Sequence, residues 1–362
     1  MRVLGLACVL VGCGRVAFDP TGDGGGGGGG GGGDGGYVQP DANLVFITAT
    51  STPPLGGSLH AFDMVCQARA QAESFSGTFI AYMSSASMPI KTRLTGARGF
   101  VRYDGLAIAD QPTEIAEALL RPVMFDETGA VVPHSTPIMT GSDVSGNDNS
   151  DCNNYVFSGG SVRGGYADGT YDDFDARTLL PCSGSYPMYC VETDRVVTLT
   201  EPPPTGRRVF LSKTGAVPTS LGAADTFCTG NATGAGLTGT FHALLATETA
   251  SAASRFSAAG ANWTRLDGVA IAATPGDFLA GNWIAPIDLQ PDGVTHVRAG
   301  VLFGASDPTQ VGTTASTCAS WTVTTGAMVP SQGDSSSIAT GFLDPAFAAT
   351  CGAGNYLYCV EP

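Results

Sequence analysis

One stretch of this chain occurs twice, and the cysteines that follow each copy occur in the same order. Ala61–Ser85 reads AFDMVCQARAQAESFSGTFIAYMSS, and Ala224–Thr247 reads ADTFCTGNATGAGLTGTFHALLAT. In both, a Cys (Cys66, Cys228) stands eleven residues before the Gly of a Gly-Thr-Phe triplet, at Gly77–Phe79 and Gly239–Phe241. Three more Cys follow each copy, and the last two are eight residues apart in both (Cys182/Cys190, Cys351/Cys359). Shorter matches fill the interval. Asp267-Gly268 answers Asp104-Gly105, Ser306-Asp307 answers Ser142-Asp143, and Cys318-Ala-Ser-Trp321 answers Cys152-Asn-Asn-Tyr155. The chain therefore reads as one domain in tandem, over residues 43–195 and 208–362, each long enough to bury a sizeable core.

Local signals sketch each copy. Ser58 is a good N-cap, after which Leu59, Phe62, Cys66 and Ala70 fall on one helical face, so the Cys points inward. Leu44–Ile47, Phe79–Met83, Phe157 with its neighbours and Met188–Val191 are short β-prone runs punctuated by Gly, Pro and Asp-Gly turns. Scarce charge and 51 Gly favour a loop-rich α+β chain over a helical bundle. Residues 196–207 contain Glu201-Pro-Pro-Pro204 and read as a stiff polyproline-type spacer between the copies. A net charge of −15 argues against nucleic acid as a partner and against broad attraction to anionic membranes.

The N-terminus has a different character. Arg2, a short apolar run and the small residues before Cys13 fit a secretory signal over residues 1–12. Leu10-Val-Gly-Cys13 resembles the bacterial lipobox, which implies cleavage before Cys13 and a lipid on that thiol. Gly14 carries no Asp-type retention signal, so an exported, lipid-anchored protein of the outer membrane or cell surface is expected. Residues 13–42 are dominated by glycine and read as a disordered tether, with membrane contact through the lipid alone. Two sets of four Cys point to disulfides and an oxidising compartment, although four Cys allow three connectivities. No Cys-x-x-Cys pair suggests metal ligation instead.

Taken together, a Cys in the first helix, a Gly-Thr-Phe-led strand, a later Asp-Gly turn and three C-terminal Cys ending in Tyr-Cys-Val-Glu resemble the endostatin-like branch of the C-type-lectin-like fold. The resemblance spans nearly all of each copy and is closest at Gln67-Ala-Arg-Ala70, Ser76–Phe79 and Ser84-Ser85. Related domains of unknown function occur in bacterial lipoproteins. The resemblance implies two tandem domains, each with mixed short strands, one or two helices and two nested disulfides. The implied pairs are Cys66–Cys190 around Cys152–Cys182, and Cys228–Cys359 around Cys318–Cys351. The family's zinc and heparin chemistry does not carry over. The region matching its N-terminal His pair is glycine here, and the chain is acidic rather than basic.

Candidate site residues are few. Asp143, Asn147, Asp148, Asn149 and Asp151 crowd the loop before Cys152. Hard oxygen ligands of this kind suit calcium, so Asp143, Asn147, Asp148 and Asp151 are the candidate metal ligands, against the alternative of a polar loop of turn-formers. Asp168, Asp172, Asp173 and Asp175 form a second acidic loop. Lys91, Arg93, Arg98 and Arg102 form the one local basic run, read as a solvated face more readily than as a glycan-facing one. Trp263, Trp283 and Trp321 read as core aromatics rather than a sugar-stacking surface. Gly234–Gly239 matches Gly-x-Gly-x-x-Gly but leads from a helix into a strand, the reverse of a dinucleotide site. No His, Ser or carboxylate constellation supports catalysis, and no cofactor beyond the candidate calcium is implied. The expectation is a non-enzymatic binding or adhesion module for a glycan or protein ligand, with a structural envelope protein lacking a diffusible ligand as the alternative.

Overall fold

The computed structural model describes residues 39–117, 119–338 and 349–362. The signal segment, the lipidation candidate Cys13 and the tether up to residue 38 lie outside the described residues. β1 (Asn43–Ile47) is buried at every position. The first half continues with α1 (Leu59–Ala72), β2 (Phe79–Ala81), α2 (Ile90–Arg93), β3 (Phe100–Val101), β4 (Ala107–Ala109), α3 (Pro112–Glu117) and β5 (Pro137–Met139). It closes with the one-turn α4 (Cys152–Tyr155), β6 (Ser161–Tyr166), α5 (Asp172–Asp175), β7 (Thr178–Pro181) and β8 (Tyr189–Glu192). The second half holds β9 (Arg207–Leu211), α6 (Leu221–Gly234), β10 (His242–Ala243), β11 (Trp263–Thr264), α7 (Pro275–Ala280), β12 (Gly300–Leu302), α8 (Cys318–Trp321), β13 (Gln332–Asp334) and β14 (Tyr358–Val360). The protein is thus mixed α+β, built on small mixed sheets.

The two main sheets correspond strand by strand. The first has the order β2-β8-β1-β3-β4, the second β10-β14-β9-β11. β1 pairs antiparallel with β8 and parallel with β3, as β9 does with β14 and β11. Alternation along β9 sends Val209 and Leu211 into one core cluster and Phe210 into another, so both faces of the sheet are covered. The long helices begin alike. Ser58 Oγ accepts from the Ala61 amide, and Ser220 Oγ from the Ala223 amide.

Four disulfides join Cys66 to Cys190, Cys152 to Cys182, Cys228 to Cys359 and Cys318 to Cys351. These are the pairs that the resemblance implies. Each outer bridge pins the long helix to the last strand of its half, β8 or β14.

The Gly-Thr-Phe triplet has a physical reason. Gly77 and Gly239 sit at φ +104° and +103°, where a side chain is strained. A Cβ on Gly77 would run into Glu192 Oε1, and one on Gly239 would lie 3.0 Å from Glu361 Oε1. The glycine therefore makes room for the carboxylate that ends Tyr-Cys-Val-Glu. Glu192 in turn binds the Leu44 amide at 3.0 Å and Arg195 Nε at 2.6 Å, and Glu361 binds Arg208.

Residues 39–362 form one compact unit. The segment expected to be a stiff spacer is packed instead. Val197 bonds to the Arg98 carbonyl, the Leu199 amide donates to Asp110 at 2.7 Å, and Glu201 holds Arg121 through both oxygens. The Pro202 carbonyl rests against Gly268 of the second half. Proline fixes the path of such a segment but leaves its carbonyls free to pack, so polyproline stiffness here serves docking rather than spacing.

A self-complementary contact joins the halves. The Thr170 amide donates to the Ser336 carbonyl at 2.9 Å, and the Ile338 amide to the Asp168 carbonyl at 3.4 Å, around the facing pair Gly169 and Ser337. The registers of β5 with β6 and of β12 with β13 make Asp168 equivalent to Ser336 and Thr170 to Ile338. The two bonds therefore exchange under a local two-fold, as in an isologous dimer interface. Leu120 and Met124 of the first half pack on the second-half core, and Arg102 Nη1 reaches the Ile284 carbonyl at 3.4 Å.

Candidate functional site, a cleft beside a left-handed turn

Both third cysteines open a turn of unusual backbone. Cys152, Asn153, Asn154 and Tyr155 all have positive φ (57°, 53°, 56° and 62°), and so do Cys318, Ala319, Ser320 and Trp321 (51°, 53°, 53° and 68°). This is one turn of left-handed helix, which costs roughly 1–2 kcal/mol per non-glycine residue. Each turn is held at several points. Asp151 Oδ1 caps the Asn154 amide at 2.9 Å, and Thr317 Oγ1 caps the Ser320 amide at 3.0 Å. The fourth residue is an anchored aromatic. Tyr155 OH donates to the Ser84 carbonyl at 2.5 Å, and Trp321 Nε1 to the Ala246 carbonyl at 2.8 Å. The inner disulfide closes the arrangement in both halves.

In the first half this turn borders a cleft of about 470 Å³ between the start of α1 and the chain after β2. Its floor is apolar at Leu59 and Tyr155, with the buried Ser85 beside them, and its rim carries Ser58, His60, Ser87, Met88 and Asn154. The one carboxylate on the lining, Asp63, is committed. It accepts from the Ala81 amide at 3.0 Å and pairs with Arg93 Nη2 at 2.5 Å, while Arg93 also bonds the Ala81 and Met83 carbonyls. The second half repeats this device. Asp225 accepts from the Ala243 amide and pairs with Arg255, which bonds the Ala243 carbonyl. Asp63 and Asp225 stand three residues before Cys66 and Cys228, a recurrence that reading the duplication closely would have shown.

No protein-family model matches this chain, and no curated protein matches it either. The chemistry of the site therefore has to come from its own residues.

The candidate calcium ligands do not converge. Asp143 Oδ1 is spent within its own turn, on the Ser145 and Asn147 amides at 2.9 Å each and on Asn147 Nδ2. Asn147 Nδ2 thereby holds its side chain against Asp143. Asp148 and Asp151 instead face one another. Burial, then the neighbouring Asp151, pushes Asp148 up to about 6, and Asp148 Oδ1 and Asp151 Oδ2 are buried with no other donor. Among the described residues no group of three or more His, Cys, Asp or Glu is arranged to hold a metal ion.

The second acidic loop is spent on the join between the halves. Asp168 Oδ2 accepts from Ser337 and lies 3.6 Å from His134 Nδ1, and the Asp168 carboxylate raises the imidazole above its usual value. Asp172, Asp173 and Asp334 surround Arg298 at 3.3, 3.0 and 2.8 Å, and Arg177 adds a second cation to Asp173 at 3.0 Å. Burial first, then Asp334, pushes Asp173 up to about 8. Asp175 is fully buried against Tyr82 OH at 3.1 Å, and desolvation raises it well above the carboxylate range.

The basic run is not a face. Arg93 and Arg98 pair with Asp63 and Asp110, and Arg102 is buried against Asp104 and the Pro122 carbonyl. Lys91 is exposed. Trp263, Trp283 and Trp321 are buried, with Phe278 stacked between the first two. Gly234 to Gly239 connect the end of α6 to β10 as a loop. His296 sits 3.1 Å from the buried Asp288. No part of these arrangements brings a nucleophile and a base together in the cleft.

Proposed function

We propose that this chain is an exported, lipid-anchored surface protein with two tandem endostatin-like domains of the C-type-lectin-like fold, acting as a non-enzymatic binding module. The signal segment and Cys13 supply the anchor in this reading, and residues 39–362 form the presented body. The observation that carries it is the first-half cleft, whose rim presents the exposed side chains of His60 and Asn154. Ordered, exposed polar groups over an apolar floor are what a small recognition site requires. The four disulfides agree with an oxidising compartment. Among the described residues no helix is long and apolar enough to cross a membrane.

Two measurements test this. Labelled fatty acid should enter the wild-type chain and not a Cys13→Ser variant. Screening the full chain against glycan and surface-protein arrays should return a saturable ligand from one class, and none from either would sink the binding reading.

A further inference from the structure

We infer that the first-half cleft takes a neutral, hydroxyl-rich ligand, a sugar residue of a glycan, and that the second half cannot do so because its own Glu248 covers the matching place. The inference rests on the binding-module reading above and narrows it to one site and one ligand class.

The matching of positions is fixed at several points. Tyr155 and Trp321 anchor to the carbonyls of Ser84 and Ala246, so these two backbone positions coincide. The turn after each coincides too, with Ser85 bonded to Met88 and Thr247 to Ala250. Ala86 therefore stands where the second half has Glu248, and Asn154 where it has Ser320. In the second half the Glu248 amide donates to Ser320 Oγ at 3.2 Å, and its carboxylate accepts from Thr314 Oγ1 at 2.7 Å and from Ser320 Oγ at 3.4 Å. The polar groups of that place are satisfied from within. In the first half Ala86 brings no such side chain, Asn154 keeps its carboxamide free, and the cleft stands open.

The lining selects against charge. An anionic ligand needs a free guanidinium or ammonium, and Arg93 is already held by Asp63 and two carbonyls. A net charge of −15 adds long-range repulsion. A cationic ligand needs a free carboxylate, and Asp63 is the one carboxylate on the lining. What remains is hydroxyls at Ser58, Ser85 and Ser87, the Asn154 amide and the His60 imidazole. These exchange hydrogen bonds with sugar hydroxyls, while Leu59 and Met88 offer apolar surface to a sugar's C–H face. The volume lies within the ordinary range for small-ligand clefts.

The test uses the full chain on an array of neutral hexose and N-acetylhexosamine oligomers, sialylated and sulfated glycans, and surface proteins. Ala86→Glu supplies the covering carboxylate to the first half, and Asn154→Ala removes the free amide. Ala86 is exposed, so Ala86→Glu should leave thermal melting unchanged, while Asn154→Ala at φ 56° should lower it slightly without unfolding the chain; melting is measured beside binding. The expected result is saturable binding to neutral oligomers, weakened at least tenfold by either variant and unchanged by Glu248→Ala, with one site per chain in calorimetry. Binding only to charged glycans or to proteins, or neutral-glycan binding that both variants leave intact, overturns this inference and leaves the binding module standing. No ligand in any class sinks both.

Discussion

Replacing Asp173 by Asn is expected to remove the largest share of the pH dependence of the join between the two halves, leaving the part that comes from His134 beside Asp168. Among the described residues Asp172, Asp173 and Asp334 pair with Arg298 and Arg177, so three carboxylates meet two guanidiniums. The Asp173 side chain is 5% exposed, so water cannot supply the difference. Burial and the adjacent Asp334 accordingly push Asp173 up to about 8. In an unfolded chain Asp titrates near ~3.9. Because the folded value is the higher one, the stabilisation is fully present below about pH 4 and is lost as pH climbs towards about 8. Each pH unit in that window costs about 1.4 kcal/mol, and the fall from pH 6 to pH 8 comes to about 2 kcal/mol once ionisation of the folded state is included. Ser336 Oγ lies 2.8 Å from both Asp173 Oδ2 and Asp334 Oδ1, and its single proton serves one of them at a time. A carboxamide at 173 accepts from Ser336 and donates to Asp334 at every pH. Urea unfolding at the two pH values reads the effect. Wild type should lose about 2 kcal/mol more than the variant, whose remaining slope comes from His134 beside Asp168. A variant that keeps the wild-type slope, or is the less stable of the two at pH 8, shows that the guanidiniums hold Asp173 ionised and refutes the account.

Two further stability measurements probe the scaffold. Removing the Cys66–Cys190 bridge, which closes 124 residues, should cost about 5 kcal/mol by loop entropy, against about 3.6 kcal/mol for the 30-residue Cys152–Cys182 loop. Urea unfolding of the two double Cys→Ser variants decides it, and an inner bridge that costs as much as the outer would refute the loop-entropy ordering. Ala319→Gly should raise stability by about 0.5–1 kcal/mol, because relief of a left-handed alanine outweighs the added freedom of the unfolded chain. A lower melting temperature for that variant would contradict the left-handed turn.

How much was legible in advance follows the range of each interaction. The helix over Leu59–Ala72 could be read from Ser58 and the inward spacing of Leu59, Phe62, Cys66 and Ala70, because capping and periodicity are local. The duplication marked the eight paired cysteines and both ends of the Gly77–Glu192 contact, although its reason, a carboxylate needing room, appears only when β2 and β8 lie side by side. Arg93, Arg98 and Arg102 looked like a basic face because their partners sit elsewhere in the chain or across a turn. Asp172 and Asp173 looked like a free acidic loop because Arg298 and Asp334 come from the other half. Part of the candidate calcium set is engaged locally. Asp143 and Asn147 satisfy each other within one turn, as Asx residues commonly do.

The duplication also separates scaffold from function. Where both copies keep a device, it maintains the body: the outer disulfide, the Gly and Glu contact, the Asp63–Arg93 and Asp225–Arg255 pairs, the left-handed turn with its aromatic anchor. A duplicated body whose copies pack on a local two-fold can hold that shape while one copy gives up a site. The divergence around the cleft has that form. Ala86 against Glu248, Asn154 against Ser320, and His60 against Gly222 all fall on one face of the first half, and each change leaves the first half with more open space or a freer polar group than the second. If the proposed binding reading holds, these three positions make the first half the copy that binds and the second its structural partner.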